Sequence, residues 1–349
     1  MKKLLAILLA LAMVFSFAAC GEKKQAQQGG EQKEDGYEAL TFIFAHDCGN
    51  GTPTIDTAQK FKALIEEKSG GKITVDLYEG GTLSNNNSTT TIEMLSSGDI
   101  QMSCIPNGKN TALWDVYKMP YLFSTLEEAY KSEEGESGKW MLDSLKADGI
   151  KGLSFWDVGF RVFTSNKSFA KVADVKNEKM RIISSKAFTT FAEALGAAPV
   201  STSMGELYTA LQQGLATCQE NPLATICSRK LYEVNKFVTL TNHVWTYYVF
   251  AANEAWWNSL PAKTQELINE VNKECTAYHR TLAEQLQDGY KKTITDNGGT
   301  IVDLSKDELA AWAEVGRSTH KVLAPDINAA AGTDIVALFY KDLGLTKTW

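Results

Sequence analysis

The chain is short of the residues on which metal centres and disulfide frameworks are built. It has four histidines and no C-x-x-C pair, so a zinc site is not expected. Beyond Cys20 there are five cysteines, an odd and scattered set (Cys48, Cys104, Cys218, Cys227, Cys275) that does not read as a disulfide framework, although one pair could form. Basic excess is also missing. The formal net charge is −7, and loss of Lys2 and Lys3 would leave about −9, so no nucleic-acid partner is expected. After the first twenty residues no apolar run is long enough to cross a bilayer. G-x-S-x-G, H-E-x-x-H, the Walker A loop and G-x-G-x-x-G are all absent, and nothing calls for a cofactor. An enzyme is therefore not the expected reading.

What is present begins with an export signal. Lys2 and Lys3 precede an uncharged apolar stretch from Leu4 to Ala19, and small residues lead into Cys20. Phe17-Ala18-Ala19-Cys20-Gly21 resembles a lipobox, in which Cys20 takes the lipid and becomes the mature N-terminus. Residues 1–19 are read as signal peptide and 20–36 as a lipidated flexible tether, since GEKKQAQQGGEQKEDG offers nothing to bury. The remainder, from about Tyr37, is too long for one ordinary core and suits two domains.

Along that remainder strands and helices alternate. Leu40–Ala45, Ile73–Tyr78 and Asp99–Ile105 read as strands, separated by helices after Pro53 and from Thr89 to Ser97. A second unit starts near Gly159, with strands at Phe160–Thr164, Lys179–Ile183 and Ala198–Val200. Phe188, Phe191, Ala192 and Leu195 mark an amphipathic helix closed by Gly196. Ser203 and Glu206 have capping-box spacing, and Asn221-Pro222 reads as the N-cap and first residue of a further helix. His243–Ala252 is a strong strand, and a long helix follows Pro261. Alternation with short glycine-rich connections predicts an α/β fold with a mainly parallel sheet.

The order and spacing of several segments carry more. They are Gly159-Phe160-Arg161, Lys179-Met180-Arg181, Ala194-Leu195-Gly196-Ala197, Glu206 to Gly214, Gln219-Glu220-Asn221-Pro222, Lys230 to Val234 and Leu240 to His243. Together with Gly80 to Leu83, Gly98 to Met102 and Met119 to Phe123, they closely resemble the solute-binding proteins of TRAP (tripartite ATP-independent periplasmic) transporters. The resemblance implies a two-lobed, periplasmic-binding-protein-like α/β fold, with a ligand cleft between the lobes and a long helix spanning both. Domain I would run from 37 to 157 and be regained at about 246–285; domain II would run from 158 to 245, with 286–349 returning to it. The implied function is capture of a small organic carboxylate by hinge closure and delivery to a membrane permease. Service to a sensor or chemoreceptor is the alternative.

The resemblance also places the site. Arg181 would pair with the carboxylate, and an arginine suits this because its planar fork gives two parallel bonds and stays charged. In a strand its neighbours Met180 and Ile182 point away from it. Arg161 and Asn221 would add contacts, and Asn86 would come from the first lobe. Met204, Trp156 and Trp245 would wall the cleft, which points to an acid with an apolar or aromatic body. Relatives that bind sialic acid carry a glutamate near Cys104, and none stands there.

Overall fold

Residues 36–347 are described by the computed structural model. The signal segment, Cys20 and the tether up to residue 35 lie outside the described residues. From Tyr37 onward the chain packs as one body. The first half follows the alternation of its apolar runs: β1 (Leu40–His46), α1 (Pro53–Lys68), β2 (Ile73–Tyr78), α2 (Ser88–Ser97) and β3 (Met102–Ile105). Three helices follow, α3 (Thr111–Trp114), α4 (Leu126–Glu134) and α5 (Glu136–Ser144). The second half contains β4 (Ile150–Ser165), β5 (Lys179–Ile182), α6 (Lys186–Ala194), β6 (Ala198–Ser201), α7 (Leu207–Gln212), β7 (Cys218–Pro222), α8 (Leu223–Ser228) and β8 (Phe237–Asn253). The chain ends with α9 (Glu254–Ser259), α10 (Ala262–Asp296), β9 (Thr300–Val302), α11 (Lys306–Ser318), α12 (His320–Ala331) and α13 (Ile335–Leu343).

The nine strands of the described residues form one sheet in the order β2-β1-β3-β8-β4-β7-β5-β6, with β9 on β8. β1 pairs in parallel with β2 and β3, and β5 does so with β6 and β7. The two parallel sets are joined by an antiparallel centre, β3–β8–β4–β7. β4 and β8, of 16 and 17 residues, are far longer than the stretches their sequences suggested. Both expected domain borders, 157/158 and 245/246, fall inside these strands. The β4–β8 register shifts between Asp157 and Gly159. Gly159 has φ +97 there, and a Cβ would stand 3.3 Å from the Gln287 amide, so the bulge needs glycine.

α10 has 35 residues, roughly 52 Å of helix at 1.5 Å each. Its Leu267, Ile268, Val271 and Cys275 pack with Phe42, Phe44 and Phe61 of the first half. Its Tyr290 and Ile294 pack with Leu207, Leu223 and Val162 of the second. One helix thus serves both halves. Trp312 of α11 joins Phe163 and Phe191, but Leu323, Ile327 and Phe339 of α12 and α13 join Tyr117 and Phe123. The last two helices therefore cover the first half, a different placement from the expected return of 286–349 to the second, because their apolar faces meet the aromatic cluster around Tyr117. Cys48, Cys104, Cys218, Cys227 and Cys275 are free thiols. Among the described residues no single helix is long and apolar enough to cross a membrane.

Candidate ligand-binding site

Arg181 stands on β5 between β6 and β7, where the parallel register sets it beside Val200 and Gln219. Met180 and Ile182 feed the apolar cluster of α6, so alternation turns Arg181 to the other face. The side chain is fully buried. Its Nε and Nη2 donate to the Thr202 carbonyl at 3.2 and 2.7 Å. Nη1 is buried with no partner. Burial pushes the guanidinium down to about 10, with Glu220 opposing and Arg161 adding to the shift. It is charged at neutral pH. A buried cation with an unmet donor is costly until an acceptor arrives.

Arg161 is placed differently. Its Nε and Nη2 grip the carboxylate of Glu220, Nη2 at 2.9 Å from Oε1, and Nη2 also reaches the Glu220 carbonyl at 2.7 Å. The same nitrogen donates to Asn221 Oδ1 at 3.0 Å, and Nη1 to Thr246 Oγ1 at 3.5 Å. The guanidinium lies over the Phe188 ring at 5.1 Å. Glu220 also meets His243 Nε2 at 3.2 Å. Burial pushes its carboxyl up, but Arg161 and His243 outweigh this and hold it below the usual carboxylate range. His243 lies below its usual value because burial outweighs the pull of Glu220. Since a carboxylate only accepts, the neutral ring donates from Nε2, and its Nδ1 accepts the Thr241 hydroxyl at 2.8 Å.

Asn221 is on β7, not at a helix N-cap. α8 begins at Leu223 with Pro222 as its cap residue. The carboxamide is drawn into the sheet instead: Oδ1 accepts from Arg161, and Nδ2 donates to Gln219 Oε1 at 2.5 Å. Gln219 in turn donates to Thr164 at 2.8 Å. Arg181, Arg161 and Asn221 are therefore assembled around Glu220 and Gln219. Since Glu220 neutralises Arg161, the group carries one net positive charge, on Arg181.

The remaining expected residues lie outside that group. Met204 is half-buried against the cluster of Leu207 and Leu223. Trp245 is packed among Tyr117, Phe123 and Tyr247, its indole N–H donating to Asp157 at 2.7 Å. Trp156 is stacked on Phe250 and His279, with its N–H buried and unpaired. Asn86 holds a left-handed backbone at φ +58, and its side chain accepts from Arg229 Nη2 at 3.3 Å. Glu220, His243 and Thr202 escaped the sequence reading. Glu220 stood inside a quoted motif, but its partnership with Arg161 depends on the β4–β7 register, which sets Phe163 beside Glu220.

The family model for bacterial extracellular solute-binding proteins, family 7, matches residues 44–325. The chain belongs to that family. Its relatives include the C4-dicarboxylate-binding periplasmic protein DctP of Rhodobacter capsulatus, 33% identical over 84% of this chain and 89% of the relative. The C4-dicarboxylate-binding protein DctB of Bacillus subtilis is 31% identical over 81% of each. Among solved structures, a TRAP periplasmic solute-binding protein of Sulfurospirillum deleyianum with bound succinate superposes at a TM-score of 0.79. It is 25% identical, covering 88% of this chain and 100% of that one. The two-lobed TRAP-type α/β fold is thereby established, and a solute-binding protein of this family is a carrier, not an enzyme.

Proposed function

We propose that this protein captures a small organic carboxylate outside the cytoplasm and hands it to the membrane permease of a TRAP transporter. The observation that carries the reading is Arg181: a fully buried guanidinium, charged at neutral pH, with an unpaired Nη1 and, among the described residues, no carboxylate bonded to it. A ligand carboxylate supplies what is missing. Arg161 acts chiefly through Glu220 and Asn221, holding the wall of the site in register, with Nη1 the end turned to Thr246. The names of the relatives, for C4-dicarboxylates, and the succinate in the solved structure support a small acid as cargo. Service to a sensor draws no such support.

The lobes are proposed to divide within β4 and β8, near the bulge at Asp157–Gly159, so that closure bends the long strands there. A ligand favours closure only by its differential affinity for the closed form. Small-angle scattering is expected to give a smaller radius of gyration with a saturating carboxylate, found by a thermal-shift screen of organic acids. An unchanged curve at proven saturation would rule out hinge capture.

The anchor is a separate proposal and rests on Ala18-Ala19-Cys20. Expressed in bacteria, the protein is expected to partition with membranes and take up labelled fatty acid, and Cys20→Ser to lose both. Equal labelling of the variant would remove the lipoprotein reading.

A further inference from the structure

Asp157 stands at the bulge where the halves are proposed to flex, and it is almost fully buried. Three neutral donors from three elements converge on its carboxylate. Oδ1 accepts the Gly159 N–H of the bulge itself at 2.7 Å and the Trp245 indole N–H of β8 at 2.7 Å. Oδ2 accepts the Tyr130 hydroxyl of α4 at 3.1 Å. The main-chain carbonyl of the same residue meets His279 Nε2 of α10 at 2.6 Å, and His279 Nδ1 meets the Thr57 hydroxyl of α1 at 2.8 Å. One residue thus ties the bulge to β8, α4 and α10, and through His279 to α1.

The bulge also has room to move. A cavity of about 200 Å³ lies against Asp157 and Gly159, walled by Leu126 of the first half, Phe160 and Leu240 of the second, and Gln287 of α10. Close-packed interiors resist small displacements, so a void that touches both halves marks where they can shift. Elsewhere the halves meet directly. Arg229 donates to Asn86 at 3.3 Å, and the Tyr290 hydroxyl to the Gly51 carbonyl at 2.8 Å. The arrangement in which Asp157 holds its three donors is therefore one with the halves in contact.

Burial pushes the Asp157 carboxyl up to about 6, against the pull of its three donors and of Arg280. Arg280 lies over the Tyr130 ring at 4.2 Å and is bonded to Glu133 at 2.5 Å and Glu134 at 2.8 Å. Burial pushes Glu133 up to about 8, with Arg280 opposing, and holds His279 down to about 4. The phenols of Tyr130 and of Tyr247, which pairs in register with Asp157, are pushed far above their usual range by burial and stay neutral. Glu284 and Lys291 of α10 line the cavity. A proton on Asp157 turns one of its oxygens into a donor, which then faces a donor of the bulge or of α4.

Resting on hinge capture of a carboxylate by Arg181, we infer that Asp157 is a positioning residue for that capture: its charged carboxylate holds the bulge in the arrangement that brings the halves together, and so sets how tightly the ligand is held. It acts through Gly159 and Tyr130 and not by contact with the ligand. Loss of part of the set favours the open form, and the apparent affinity falls with the fraction of protein able to close. Proton and ligand then oppose each other, so affinity decreases as pH falls through the Asp157 range.

Calorimetric titration with succinate and with galactonate, at pH 7.5 and 5.5, tests this on the native protein and on Asp157→Asn. The variant has the shape of the protonated acid and lacks the charge. Each acid's own titration is common to both proteins, so the difference between them isolates Asp157. Asp157→Asn is expected to bind about three- to tenfold more weakly at pH 7.5, the worth of one hydrogen bond, and to match the native protein at pH 5.5. Glu133→Gln, which removes the neighbouring group that titrates higher, should leave that pattern in place. Should Asp157→Asn not fold, Tyr130→Phe removes the donor on Oδ2 alone and is expected to weaken binding at pH 7.5 in the same direction. Equal affinities of native protein and Asp157→Asn at pH 7.5 overturn the inference and leave capture standing. A gap that persists unchanged at pH 5.5 also overturns it, because a merely structural loss gives that result. No binding of either acid by the native protein overturns it as well. Arg181→Ala is the control for capture: if it binds these acids like the native protein, the capture reading itself is lost.

Discussion

Arg181→Ala is expected to weaken binding of the carboxylate ligand about a thousandfold or more. Charge-assisted hydrogen bonds contribute roughly 1.5–3 kcal/mol each, two of them are at stake, and each 1.4 kcal/mol is about tenfold in affinity. Nη1 and the second hydrogen of Nη2 form the free end of the guanidinium, since Nε and the other Nη2 hydrogen face the Thr202 carbonyl. Arg181→Lys keeps the charge but gives up both the fork and the anchoring on Thr202, so it should recover only part of the loss. Calorimetry on variants checked by circular dichroism decides it. A lysine variant that binds like the native protein would show that Arg181 is not a two-bond anchor.

The second large effect is on stability. Glu220→Gln leaves Arg161 buried without its counter-charge, which costs on the order of 3 kcal/mol. For a chain of this size that is a fall in Tm of roughly 5 °C, readable by thermal denaturation. The effect has a definite pH sign. The Glu220 carboxyl lies below its usual range in the folded protein, so its contribution is fully present above the unfolded value of about 4.3 and fades as pH falls through the folded value. The gap between native and variant should therefore narrow in strong acid. An unchanged Tm at neutral pH would mean that Arg161 finds its compensation elsewhere and is open to the ligand. Arg161→Ala strands Glu220 in the same way, so its effect on binding has to be read after its effect on folding.

The sequence was most legible where the signal was local. Phe188, Phe191 and Leu195 with Gly196 marked α6, and the Met180–Arg181–Ile182 alternation gave the direction in which Arg181 points. It was least legible where pairing between distant segments decides the outcome. Gly152 and Gly159 interrupt the period of β4, and the register shifts there hid a 16-residue strand behind a five-residue one. Asn221-Pro222 had the chemistry of a helix start, but sheet pairing with β4 took Asn221 into β7, beyond what its own neighbours specify. Trp245 reads as a cleft wall because large aromatics at strand positions look alike from sequence; its indole N–H on Asp157 is a contact across 88 residues.

The long β4–β8 ladder has a consequence for how the chain assembles. Roughly seventy residues, carrying β5, α6, β6, α7, β7 and α8, lie between two strands that are immediate neighbours in the sheet. Joining those strands closes a long loop, and the entropic cost falls before most contacts that reward it can form. The inserted unit cannot complete its own sheet alone, since β7 needs β4 as its edge partner. The two halves proposed to close on a ligand are thus obliged to fold together, and the ladder proposed as their hinge is the same one that makes their unfolding a shared event.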